Sequence, residues 1–186
     1  MKKGCLTLLV LALAMAFALF CFGTAIVRGG IDTTGVPGLQ AYFPMPYPLL
    51  KMIKGTPLQT RDSREWGNMM YYIYQDQILD TSCTVTYGFM IEDGWLSPDT
   101  LYNVELSFDG LEKQQGKDLF DDLIPAMKAA YQNRAGYYDD GCKETETTLG
   151  EMELHADFGT DRGAGGVSVY MTLTDTRLFI SIGDMW

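Results

Sequence analysis

The stretch Val167-Ser168-Val169-Tyr170-Met171-Thr172-Leu173-Thr174-Asp175-Thr176-Arg177-Leu178-Phe179-Ile180-Ser181-Ile182 decides the fold. Val167, Val169, Met171 and Leu173 alternate with Ser168, Tyr170 and Thr172. Leu178, Ile180 and Ile182 repeat the pattern after a tight connection at Asp175-Thr176. Successive side chains of a strand point to opposite faces, so the period of two predicts paired half-buried strands, each with one apolar face.

Upstream, the same alternation recurs. Met152, Leu154, Ala156 and Phe158 alternate with Glu153, His155 and Asp157. Val85, Tyr87, Phe89 and Ile91 alternate with Thr84, Thr86, Gly88 and Met90, and Tyr102, Val104, Leu106 and Phe108 with Asn103, Glu105 and Ser107. Met69 to Leu79 reads as a further strand with a blurred pattern. Between the two strand runs, Leu119, Leu123, Met127 and Tyr131, with Phe120, Ile124 and Ala130, fall at helical spacing. Asp118 is placed to cap this helix, Gly136 to stop it, and Pro125 to kink or split it. The order βββαβββ predicts an α+β domain of two layers, a mainly antiparallel sheet of about six strands with one packed helix. The polar strand faces then meet solvent or a partner.

The N-terminus has another texture. Lys2 and Lys3 precede an uncharged apolar run from Cys5 to Val27, and Arg28 follows it. As a helix, such a run is about 35 Å long, enough for a hydrocarbon core of about 30 Å. Residues 1–28 therefore read as a signal-anchor, a single transmembrane helix. The paired lysines stay in the cytoplasm, and the C-terminal domain lies outside it, in the periplasm or extracellular space. The alternatives are a cleaved signal and a secreted form, for which Gly23-Thr24-Ala25 offers a small-x-small site, and a lipoprotein using Cys21, where the preceding Phe20 is a poor fit.

Residues 29–57 read as a Gly/Pro-rich linker, with Pro44, Pro46 and Pro48 favouring extended chain. Within it, Leu49, Leu50, Met52 and Ile53, with Lys51 and Lys54, can form a short amphipathic turn that rests on the membrane or packs on the domain. The extracytoplasmic domain is then 58–186.

The chain has a net charge of -10. Without Lys2, Lys3 and Arg28, 11 basic residues face 24 acidic ones, a charge of -13. This acidity argues against nucleic acid, whose binding needs a basic surface. Partners are expected to be the membrane, through the N-terminal helix, and another envelope protein.

Four cysteines are present. Cys5 and Cys21 lie in the apolar run. Cys83 and Cys142 lie in the outward domain, where an oxidising compartment makes them candidates for a disulfide. His155 is the only histidine. With Glu153 and Asp157 it forms a polar row on one strand face, a pattern able to shuttle a proton or contribute to a metal site. A zinc site needs three or four protein ligands and the chain offers no second histidine, so no metal or other cofactor is expected. Asp139, Asp140, Glu144 and Glu146 around Cys142 lack EF-hand spacing and read as a solvated acidic loop. The glycine-rich 159–166 segment joins two strands and reads as a hairpin loop, without a phosphate-binding pattern. No GxSxG, HExxH or CxxC motif occurs. The sequence thus predicts a membrane-anchored, non-catalytic interaction or ligand-binding module. The alternative is a small exported hydrolase or metal-dependent enzyme using Glu153, His155 and Asp157.

Overall fold

A computed structural model describes residues 32–63, 68–91, 99–146, 151–160 and 166–185. The expected transmembrane segment from Cys5 to Val27 lies outside these residues. Among the described residues, no helix is long and apolar enough to cross a membrane.

The architecture is α+β. A short hairpin of β1 (Asp32–Thr33) and β2 (Tyr42–Phe43) leads into α1 (Tyr47–Lys54). The strands β3 (Gln59–Ser63), β4 (Met69–Ile78), β5 (Thr81–Met90) and β6 (Thr100–Asp109) follow. Helix α2 (Lys113–Tyr131) then precedes β7 (Tyr138–Glu146), β8 (Met152–Gly159), β9 (Gly166–Leu173) and β10 (Arg177–Met185). The main sheet has eight strands in the order β3-β4-β5-β6-β10-β9-β8-β7. Its neighbours are all antiparallel. Two four-stranded meanders therefore meet through their last strands.

The sheet has eight strands where the sequence predicts six. The additions are its two edges, β3 and β7, which are short of apolar residues because neither is packed on both sides. The acidic stretch around Cys142 is thus a strand rather than a loop. The β6 pattern also shifts. Phe89 pairs with Leu101 after a register change at Gly88/Phe89, so Leu101, and not Tyr102, joins Val104, Leu106 and Phe108 in the core.

Topology dictates what covers the sheet. The chain leaves β6 in the middle and must reach β7 at the far edge, so α2 crosses β10, β9 and β8. It buries Leu119, Phe120, Leu123, Met127 and Tyr131 against them. The helix begins five residues before Asp118, which instead accepts from Gln114 Nε2 at 2.7 Å within the helix. Pro125 does not split it, since the helix continues to Tyr131. The proline sits on the exposed face, where a lost amide bond is solvated.

Helix α2 leaves the β4–β6 half of the same face to other residues. The segment read as a linker supplies them: Val36, Leu39, Phe43, Met45 and Leu50 are buried in the common core. The Tyr47 ring stacks on Tyr72 at 3.8 Å, Tyr74 donates to Gly55 O, and Lys54 pairs with Asp76. The segment 34–57 thus contributes side chains to the same core as the sheet. Pro44 and Pro46 are themselves buried, Pro46 bridging to Thr100 at the start of α1, and Gly35, at φ +70, lies against Ala130 and Tyr131.

Candidate functional site

Two places gather polar chemistry. The first is the predicted row on β8. Residues two apart on a strand share a face, which places Glu153, His155 and Asp157 together on the side of the sheet away from α2. The β8–β9 register sets Thr172 opposite His155 and Tyr170 opposite Asp157. The imidazole is consequently held at both nitrogens. Glu153 Oε2 lies 3.2 Å from Nε2, and Tyr170 Oη lies 2.8 Å from Nδ1, with Thr172 Oγ1 at 3.3 Å. A neutral ring donating from Nε2 to Glu153 and accepting at Nδ1 from Tyr170 satisfies both. Tyr138 donates to Asp157 Oδ1 at 3.2 Å. Among the described residues no group of three or more His, Cys, Asp or Glu side chains is placed to hold a metal ion.

The second place is a groove of about 440 Å³ on the other side of the sheet, beside α2. It exists because α2 spans β8 to β10 and stops short of the edge strand β7. Phe120, Leu154 and Leu173 give it an apolar floor, and Met152, 49% exposed, stands at its mouth. Lys113, Lys117, Asp121, Glu144, Glu153 and Asp175 form the rim, with Cys142 among them. Lys113 pairs with Asp175 and Lys117 with Asp121, each at 2.8 Å. These hydrogen bonds raise both ammonium pKa values. Glu153 borders the groove but turns its carboxylate to His155 on the other face, so three carboxylates, Asp121, Glu144 and Asp175, face two ammonium groups and leave the rim mildly acidic.

The row and the groove share only Glu153; His155 and Asp157 do not line the groove. The row was legible from strand periodicity. The groove was not, because it arises from where the helix ends relative to an edge strand. Its one sequence signal is the pair Met152 and Leu154, apolar positions that the structure leaves exposed and half-buried.

The expected Cys83–Cys142 disulfide is not formed, and both are free thiols. Cys83 is on β5 and Cys142 on β7, five strand positions apart in the sheet. That is about 24 Å along the sheet, far beyond the roughly 7 Å that a disulfide tolerates between Cα atoms. Burial pushes the Cys83 thiol up to about 11, with the Asp76 charge adding to it and Lys54 opposing it. Cys142 is exposed.

The chain is thus an α+β protein with an eight-stranded antiparallel sheet, a polar row on its open face and a groove at its helical face. Comparison with protein-family models, with curated proteins and with solved structures gives no match.

Proposed function

We propose that this protein is a membrane-held, extracytoplasmic, non-catalytic binding module whose groove between α2 and the β7–β8 edge takes an apolar, positively charged segment of another envelope protein. The observation that carries this reading is the separation of the titratable row from the cavity. His155 sits on an open sheet face, tied at both nitrogens, while the groove offers apolar floor and acidic rim without a histidine. A catalytic site needs a base within reach of a substrate held in a cleft. A binding site needs apolar area with a few placed charges, which is what the groove has. With Asp175 and Asp121 paired to Lys113 and Lys117, Glu144 is the one carboxylate in excess at the rim, and it favours a cationic partner. The tether implied by the lysine-flanked run from Cys5 to Val27 raises the effective concentration of the module near a membrane partner.

One observation favours the second reading, a hydrolase. Tyr170, His155 and Glu153 form a chain of hydroxyl, imidazole and carboxylate with the mutual spacing of a nucleophile, base and orienting group. A photo-crosslinking residue in place of Met152, in full-length protein in its native membranes, separates the two. The module gives a discrete adduct that Glu144→Lys weakens, and His155→Ala leaves it intact. Hydrolysis of a generic ester or peptide that disappears in His155→Ala, with no adduct at position 152, is the result that favours the enzyme.

A further inference from the structure

We propose that the outer face of α1 lies on the lipid surface and sets the orientation of the domain on the membrane; this rests on the reading of residues 1–28 as an anchor. The helix has a wider apolar arc than the fold buries. Leu50 is turned fully into the core and Leu49 packs half-buried against it, whereas Met52 and Ile53 are directed outward. Met52 is 71% and Ile53 40% exposed, and Leu58, just past the helix, is 72% exposed. These are three of the six large apolar side chains that the described surface exposes, and they fall within seven residues of sequence.

Charge and chain length both point to lipid as the occupant. From Thr33 to Arg61 the chain carries Lys51, Lys54 and Arg61 and no acidic residue, whereas from Asp62 onward 8 basic residues face 23 acidic ones. Lys54 is engaged with Asp76, and Arg61 lies over Tyr71 on the side of the sheet away from α1, which leaves Lys51 exposed on the helix. Helix α1 itself carries two lysines and no acidic residue beside these exposed apolar side chains, the combination that favours an anionic interface. The apolar run ends at Val27, and packed chain begins at Thr34. From Arg28 to Thr34 the chain reaches at most about 20 Å, so the domain cannot stand far from the bilayer. The chain enters the domain at the end of the sheet where α1 begins, and α1 runs from there towards the β4–β5 turn, where Lys54 reaches Asp76. Helix α2 starts beside the β9–β10 turn, where Leu111 N donates to Thr176 O, and ends at Tyr131, against which Gly35 lies. At that same far end Tyr47, the first residue of α1, donates to Asp99 O just before β6. An α1 of eight residues extends only about 12 Å from there.

The test uses full-length chain reconstituted in vesicles of phosphatidylcholine and phosphatidylglycerol, with nitroxide labels read by collision with oxygen and with an aqueous nickel chelate. Labels go singly at Met52→Cys, at Leu79→Cys on the β4–β5 turn, and at the native Cys21, with the other accessible cysteines changed to serine. The expected result is a lipid-like ratio at positions 52 and 21 and an aqueous ratio at 79. Ile53→Asp, an exposed change that leaves melting unaltered, should return position 52 to the aqueous ratio. An aqueous ratio at 52 with a lipid-like one at 21 overturns the docking face and leaves the anchor standing. Aqueous ratios at both positions overturn both.

Discussion

The single ion pair with the clearest titration signature joins α2 to β7. Lys128 Nζ lies 2.6 Å from Asp139 Oδ2, and Gly141 N and Tyr137 Oη also donate to that carboxylate. Partial burial alone pushes the Asp139 carboxyl up, but these donors and the Lys128 charge outweigh it and hold the group below the ordinary carboxylate range. A carboxyl lowered in the folded state binds its proton more readily when unfolded. Its stabilisation is therefore complete above the unfolded pKa of about 3.9 and is lost as pH falls through the lower folded value. Urea melts taken downward from pH 5 should show this loss. Asp139→Asn should be less stable by about 0.5–1 kcal/mol near neutrality and show a shallower acid slope; an unchanged slope would contradict the assignment. The thiols give a second residue-level check. Cys142 should alkylate in native protein and Cys83 only after unfolding, because burial keeps Cys83 protonated and inaccessible. Recovery of a linked Cys83–Cys142 peptide would sink the strand order. The His155 row could be read from the sequence because strand periodicity is local. Its partners Tyr170 and Thr172 could not, because cross-strand register is set by the fold and not by spacing.

Among the elements, strands packed on one face were the legible ones. Val167 to Leu173 and Leu178 to Ile182 announce themselves because their inward side chains meet a core and their outward ones do not. Strand β7, Tyr138–Glu146, has no such contrast, since α2 stops short of it and its inward Cys142 and Glu144 look into the groove. Residues 34–57 misled for the opposite reason. Proline and glycine there signal turns, and a turn-rich chain can still bury Phe43, Met45 and Leu50. The junction of β8 and β9 supplies a prediction. A Cβ on Gly159 would lie 2.1 Å from the Val167 carbonyl oxygen, and no backbone atom there can yield without breaking the pair. Gly159→Ala should cost about 1–3 kcal/mol. Gly116, in α2, meets Leu173 Cδ1 at 2.9 Å, the tip of a flexible side chain. Gly116→Ala should be near neutral, since the gain in helix propensity of about 1 kcal/mol offsets a shifted leucine. Thermal melts of the two variants, ranked in the reverse order, would show that the β8–β9 contact is misjudged.

At the scale of the whole molecule, two meanders joined at β6 and β10 force α2 to travel across one half of the sheet, and everything else follows from that path. The helix covers β8 to β10, the N-terminal segment closes over the other half, and the groove remains where the helix falls short of the edge. The central claim is that this groove, and not the polar row on the open face, is the working surface. It is tested most directly by nuclear magnetic resonance of full-length protein in phosphatidylcholine nanodiscs, titrated with a short synthetic peptide of alternating leucine and lysine. His155 is the only histidine, so its imidazole signals identify themselves, and Met152→Leu identifies the methyl signal at the groove mouth. A saturable shift of the Met152 methyl is expected, abolished by Glu144→Lys, with the His155 ring unmoved. A shift of the His155 ring with the Met152 methyl unmoved would contradict it.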